Sequence, residues 1–321
     1  MRVVPFDELP PSYERQRAAL QLGAFNSLLD RELVGRLRRR RYLLSEYVGL
    51  FAVEGGRLLG QTVVLRLPYV GRDGPVTVAG IASVTTRPAS GRQGIARALL
   101  EEAHRREAAA GQRYALLWTN RSWFAHRLYA SLGYRDVYSP PSAVRSGRGR
   151  APRQPGTSLR PAQPNDLGPL EALHAACQRG RTGFAVRPRG FLTVERAAGR
   201  SPPEKLLVYR RGGRVRGYAA VVRRPGALSI GELVSDAADR SALLAAVERS
   251  APTPGGVVEL DHTPVRDLAA RLRARGYLVQ EGTSWYVLMA RPLGRRVGEQ
   301  ELRRELAVDL PSFVCMTLDR F

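Results

Sequence analysis

Val84-Thr85-Thr86-Arg87-Pro88-Ala89-Ser90-Gly91-Arg92-Gln93-Gly94-Ile95-Ala96-Arg97-Ala98-Leu99-Leu100 is the stretch around which the 321-residue chain is organised. A β-branched run closes at Pro88, a loop with two glycines follows, and a strongly helical segment opens at Ile95. The reading is strand, tight turn and helix N-terminus. Glycine tolerates left-handed backbone and close approach, so Gly91 and Gly94 let successive N–H groups converge on an anion at the positive end of a helix. A pyrophosphate suits such a turn. An ordinary strand-to-helix connection carries the same two glycines, so the choice rests on the rest of the chain.

Upstream, the spacing predicts a strand over 2–5 and helices over 12–26 and 30–40, the second capped by Asp30. Strands over 47–54 and 58–68 flank the Gly55-Gly56 turn, and a third over 76–86 feeds the glycine loop. Downstream come a helix over 95–110, a strand over 114–118, a helix over 123–132 stopped by Gly133, and a strand over 134–138. The second half repeats this plan. A strand over 158–160 precedes helices over 165–179 and 190–198, and strands over 205–210 and 214–223 flank Gly212-Gly213. A strand over 227–234, a helix over 240–249, a strand over 257–261 and a helix over 264–275 follow, and Gly276-Tyr277 matches Gly133-Tyr134. An internal repeat at domain scale explains the pattern. The segment around Pro140-Pro141, Gly147 and Gly149 has linker composition. The expected division is a first domain over 1–140, a linker over 141–157, a second domain over 158–292 and a tail over 293–321 that packs back on both.

Hydrophobic residues at 44% and charged residues at 25% fit a soluble globular protein, and no apolar run is long enough to span a membrane. Met1 leads straight into Arg2, Asp7 and Glu8 without a leader pattern, so a cytoplasmic location is expected. Cys177 and Cys315 lie far apart and the four histidines are scattered, which speaks against a metal centre. The formal charge of +22 invites a nucleic-acid reading, but Lys205 is the sole lysine and the arginines are largely dispersed. The field attracts an anionic cofactor equally well.

The order of elements and two motif strings resemble the GCN5-related N-acetyltransferase (GNAT) superfamily in a tandem arrangement. The resemblance covers about 1–140 well and 158–292 more faintly. It implies an α/β (α+β) fold of two GNAT-like domains, each a mixed, mostly antiparallel sheet flanked by helices. The family's loop reads (Arg/Gln)-x-x-Gly-x-(Gly/Ala), which here is Gly91-Arg92-Gln93-Gly94-Ile95-Ala96. Gly91 departs from the pattern, and Arg92 offers a substitute charge for phosphate. The resemblance implies that these amides hold the pyrophosphate of acetyl-coenzyme A, with main-chain groups of Val84 and Thr86 on the pantetheine arm. The family's second motif, Asn-x-x-Ala-x-x-Leu-Tyr-x-x-x-Gly-(Phe/Tyr), matches 122–134 with Ser122 in place of Asn. Tyr129 then stands where the family protonates the leaving thiolate, a role that a phenol, neutral at pH 7, can fill.

The second half lacks these features. Its loop, Glu232-Leu233-Val234-Ser235-Asp236-Ala237-Ala238-Asp239-Arg240-Ser241, has no glycine and places aspartates where pyrophosphate would lie, and Leu272 stands at the Tyr129 position. Glu232, Asp236, Glu259 and Asp261 are candidates for an acidic wall facing a cationic amine. Similarity to the enhanced-intracellular-survival acetyltransferases implies that the carboxylate of terminal Phe321 acts as general base. The expected activity is acetyl transfer from acetyl-coenzyme A, without a metal, to a small-molecule or peptide amine by direct attack, in a monomer or homodimer. The alternative is a non-catalytic acetyl-coenzyme A sensor, or a basic nucleic-acid module, on the same scaffold.

Overall fold

The computed structural model describes residues 1–319 except 27, 41, 148–154, 198–202, 252–255, 283 and 295. The first half runs β1 (Arg2–Pro5), α1 (Glu14–Phe25), α2 (Arg31–Arg39), β2 (Leu44–Glu54), β3 (Arg57–Gly71), β4 (Gly74–Thr86), α3 (Ile95–Ala109), β5 (Tyr114–Asn120), α4 (Phe124–Ser131) and β6 (Arg135–Tyr138). Local chemistry sets these limits. Asp30 Oδ1 accepts the Leu33 amide at 2.6 Å, which starts α2 and turns Leu33, Val34 and Leu37 inward. Gly55 and Gly56 both sit at positive φ and close the β2–β3 hairpin.

β7 (Ser142–Ser146) ends the first half, and the second half runs β8 (Thr157–Pro161), α5 (Leu167–Cys177), β9 (Thr182–Gly183), α6 (Phe191–Ala197), β10 (Leu206–Arg211), β11 (Arg214–Arg224), β12 (Ala227–Ser235), α7 (Arg240–Arg249), β13 (Val257–Asp261), α8 (Thr263–Ala274) and β14 (Leu278–Gln280). Then follow β15 (Tyr286–Pro292), α9 (Glu299–Glu305) and β16 (Phe313–Val314). Two mixed sheets result. The first is ordered β1-β2-β3-β4-β5-β15-β6 and the second β14-β7-β13-β12-β11-β10-β8.

These orders correct the expected linker and the expected end of the second domain. Ser142–Ser146 is a strand inserted between β13 and β14 of the second sheet, and Tyr286–Pro292 is inserted between β5 and β6 of the first. Each half donates one strand to the other. The physical reason is legible in β15: Val287, Leu288, Met289 and Ala290 are all at most 1% exposed, and a strand apolar on both faces must lie inside a covered sheet. Polar composition around Ser142 concealed a strand whose Ala143 is fully buried. Of the expected linker, 148–154 lies outside the described residues.

The tail joins the two halves. β16 pairs in parallel with β9, and Gly183 of β9 pairs in turn with Val70 of β3. Gly183 has φ 80°, and a Cβ there would stand 2.6 Å from the Phe313 ring, so only glycine admits this approach. Phe313 is fully buried, its ring 4.9 Å from that of Tyr138.

Candidate active site

β4 and β5 run parallel but pair only at Ala79–Ala115 and Gly80–Leu116. Beyond this point β4 stays on β3 as far as Thr86 while β5 stays on β15 as far as Asn120, so a cleft opens between β4 and β5. A bulge lies just inside it. Gln61 pairs with Thr85 and Val63 with Ala82, leaving Ser83 and Val84 opposite Thr62, with Ser83 at φ 51°. Such a bulge re-aims backbone groups next to the opening.

The glycine loop closes one end. Gly94 is the N-cap of α3 at φ 78°, and no side chain caps the helix. The amides of Ile95, Ala96 and Arg97 therefore lack intrahelical acceptors at the positive helix end. Gly91, Arg92, Gln93 and Gly94 are exposed, Ala96 is half-buried, and Ile95 is buried in the core below. Arg92 has φ 60° and forms no ion pair among the described residues. The left-handed positions are thus Arg92 and Gly94. Gly91 has φ −62° and ψ 151°, a conformation open to any residue, so its expected backbone role is corrected. A Cβ there would meet Pro88 O at 3.2 Å. Gly60 is the glycine that sequence reasoning missed: a Cβ on it would lie 2.9 Å from Ile95 Cγ2 and 3.2 Å from Thr86 Cγ2. A glycine inside an apolar strand was the available signal for this approach.

Val84 packs on the core cluster that contains Ile95, Leu99 and Tyr129, together with Ala125 and Leu128 of α4. Ser122 is exposed, and its amide and hydroxyl both donate to Asn120 Oδ1, at 2.9 and 2.7 Å. Asn120, another residue missed from sequence, thereby shapes the turn into α4. Tyr129 is buried, its hydroxyl makes no hydrogen bond among the described residues, and burial pushes its pKa up to about 12. Its ring meets Tyr134 edge-on at 5.9 Å. Behind it, Arg291 Nη1 lies 2.7 Å from His104 Nδ1, and His104 Nε2 lies 2.8 Å from Tyr134 Oη. A guanidinium can only donate, so Nδ1 accepts and Nε2 carries the proton to Tyr134. Burial first, and Arg291 second, lower the His104 pKa to about 3. Arg291 belongs to β15, so the second half supplies part of the wall behind Tyr129.

The second half's equivalent cleft is filled. β12 and β13 pair over 227–230 and 257–260 and then part. There Thr263 exchanges hydrogen bonds with the tail: its amide and Oγ1 donate to Cys315 O at 3.1 and 2.8 Å, and Oγ1 accepts the Cys315 amide at 2.8 Å. About 20 Å³ remains beside Met316 and Cys177. Of the expected acidic wall, Glu232 is corrected. Glu232 is fully buried, ion-paired with Arg187 and bonded by Tyr218 Oη at 3.0 Å; Asp236 pairs with Arg216; Glu259 accepts from Ser229 Oγ at 2.7 Å. Glu232 is thus spent inside the fold, whereas Asp236 stays exposed beside Arg216. Phe321, the expected base, lies outside the described residues. Among the described residues no group of three His, Cys, Asp or Glu could hold a metal, and no helix is long and apolar enough to cross a membrane.

Residues 7–137 match the family model of the acetyltransferase (GNAT) domain. No curated protein matches the chain. Among solved structures, the chain is similar to a conserved protein of unknown function from Enterococcus faecalis, described as a probable N-acyltransferase. The identity is 18% and the TM-score 0.64, over 91% of this chain and 72% of that one. It is similar also to Eis1 from Mycobacterium abscessus, at 18% identity and TM-score 0.59 over 91% and 74% of the two chains. A tandem GNAT protein from the clavulanic acid biosynthesis pathway matches at 14% identity and TM-score 0.50, over 92% and 99%. At these identities the likenesses speak for the fold.

Proposed function

We propose, from the match of residues 7–137 to the acetyltransferase (GNAT) domain model, that the chain transfers acetyl from acetyl-coenzyme A to a small-molecule or peptide amine by direct attack, with Tyr129 as general acid. The cleft's own residues fit the cosubstrate: the α3 N-terminus has no side-chain cap, Gly94 turns the loop into the helix at positive φ, Gly60 lets Ile95 and Thr86 pack close on β3, and Arg92 is unpaired among the described residues. In this reading Gly91, Arg92, Gln93, Gly94, Ile95 and Ala96 surround the pyrophosphate. Val84 and Thr86 offer main-chain groups to the pantetheine arm, and Ser122 lines its exit.

When bound, acetyl-coenzyme A supplies an activated thioester. Backbone groups at the Ser83–Val84 bulge polarise the carbonyl, and the Tyr129 hydroxyl gives its proton to the departing sulfur.

The observation that carries this reading is Tyr129 itself: a proton-bearing hydroxyl with no hydrogen-bond partner among the described residues, in one core cluster with the first turn of α3. The test is thiol release over a panel of amines. Tyr129→Phe is expected to lower kcat about 100-fold with acetyl-coenzyme A affinity within about twofold. Full turnover in that variant would remove Tyr129 from the mechanism, and binding without turnover on any amine would favour a sensor.

A further inference from the structure

We propose that the second half holds a ligand site of its own, a cavity for a small amphipathic carboxylate with a medium-length hydrocarbon body. The cavity measures about 690 Å³, within the range of small-molecule sites. α5 forms one wall, the segment leading into α6 forms the other, and Tyr218 of β11 lines it from the sheet. It is remote from the acetyl cleft. The first-half residue in its wall is Val70, which pairs with Pro75, eleven residues from Thr86 along β4. That separation is roughly 36 Å of strand.

The wall is mostly apolar, with Val186, Phe191 and Leu192 among its side chains, and Val186 is half exposed there. Charge sits at the mouth. Arg179 and Arg189 are exposed and make no hydrogen bond or ion pair among the described residues. The other guanidiniums are committed: Arg181 to Asp267 at 2.9 Å, and Arg187 to Asp319 at 2.6 Å and to Glu232. The wall's carboxylate, Glu171, is already satisfied by the amides of Gly190 and Leu192 at 2.8 and 2.9 Å. An incoming anion therefore meets two free cations and no free acid.

A purely aliphatic occupant would leave the two cations unsatisfied. A small inorganic anion would leave the apolar wall wet.

The test uses the full chain and three probes below their micelle concentrations: dodecanoate, dodecanol and acetate, followed by titration calorimetry. Dodecanoate is expected to bind one per chain, dodecanol at least tenfold more weakly, and acetate not measurably. Arg179→Ala combined with Arg189→Ala is expected to weaken dodecanoate at least tenfold. Val186→Trp, at an exposed position, is expected to block the cavity while melting like the parent. Acetyl-coenzyme A is expected to bind equally with and without dodecanoate, which separates this site from the first cleft. The proposal is overturned if dodecanoate does not bind, if dodecanol binds as well, if neither variant changes binding, or if acetyl-coenzyme A competes with it.

Discussion

Gly94 holds φ 78° at the head of α3, where an L side chain is strained by about 1 kcal/mol or more. Gly94→Ala is expected to raise the Kd for acetyl-coenzyme A roughly fivefold to tenfold, measured by calorimetry, with kcat at saturation little changed; an unaltered Kd would mean that the loop does not touch the ligand. The places of Gly94 at the head of α3 and of Tyr129 on α4 were legible because each sits in a spaced motif. Gly91 was misread because a glycine in sequence does not disclose its φ, and here Arg92 takes the left-handed turn instead. Ser83, also at positive φ, gave no signal at all: a bulge depends on cross-strand register, which Thr62 sets from another strand. Glu232 was read as part of an acidic wall facing an amine because nothing local shows that Arg187, 45 residues away, neutralises it.

Most strands and helices followed from periodicity and turn residues, and α7 (Arg240–Arg249) and β13 (Val257–Asp261) came out at the expected limits. What periodicity could not supply was partnership. β15 lies at the end of the second half, yet it carries Arg291 into the first half against His104. That link has a pH signature. His104 ordinarily titrates near 6.5 and is lowered to about 3 in the fold. The unfolded chain therefore binds the proton first, and the contribution of neutral His104 is complete above pH 6.5 and lost as pH falls toward 3. Melting temperature measured across this window is expected to fall, and His104→Gln to flatten the acid limb. An unchanged limb would contradict the assignment of neutral, buried His104.

At the scale of the molecule, the two exchanged strands and the tail between the sheets make the halves interdependent. Neither sheet is complete without a strand encoded by the other half. Urea unfolding of the whole chain is expected to be one cooperative transition, the same by fluorescence and circular dichroism. Two resolved transitions would show that the halves fold alone. The repeat was visible in the sequence as a copied order of elements, whereas the exchange was not, because both arrangements share that order.

The same view of the molecule gives one open cleft, between β4 and β5, and one closed by Cys315 and Met316, between β12 and β13. Titration calorimetry of the intact chain with acetyl-coenzyme A tests this most directly. One molecule bound per chain is the expected result, whereas no binding, or two molecules per chain, would contradict it.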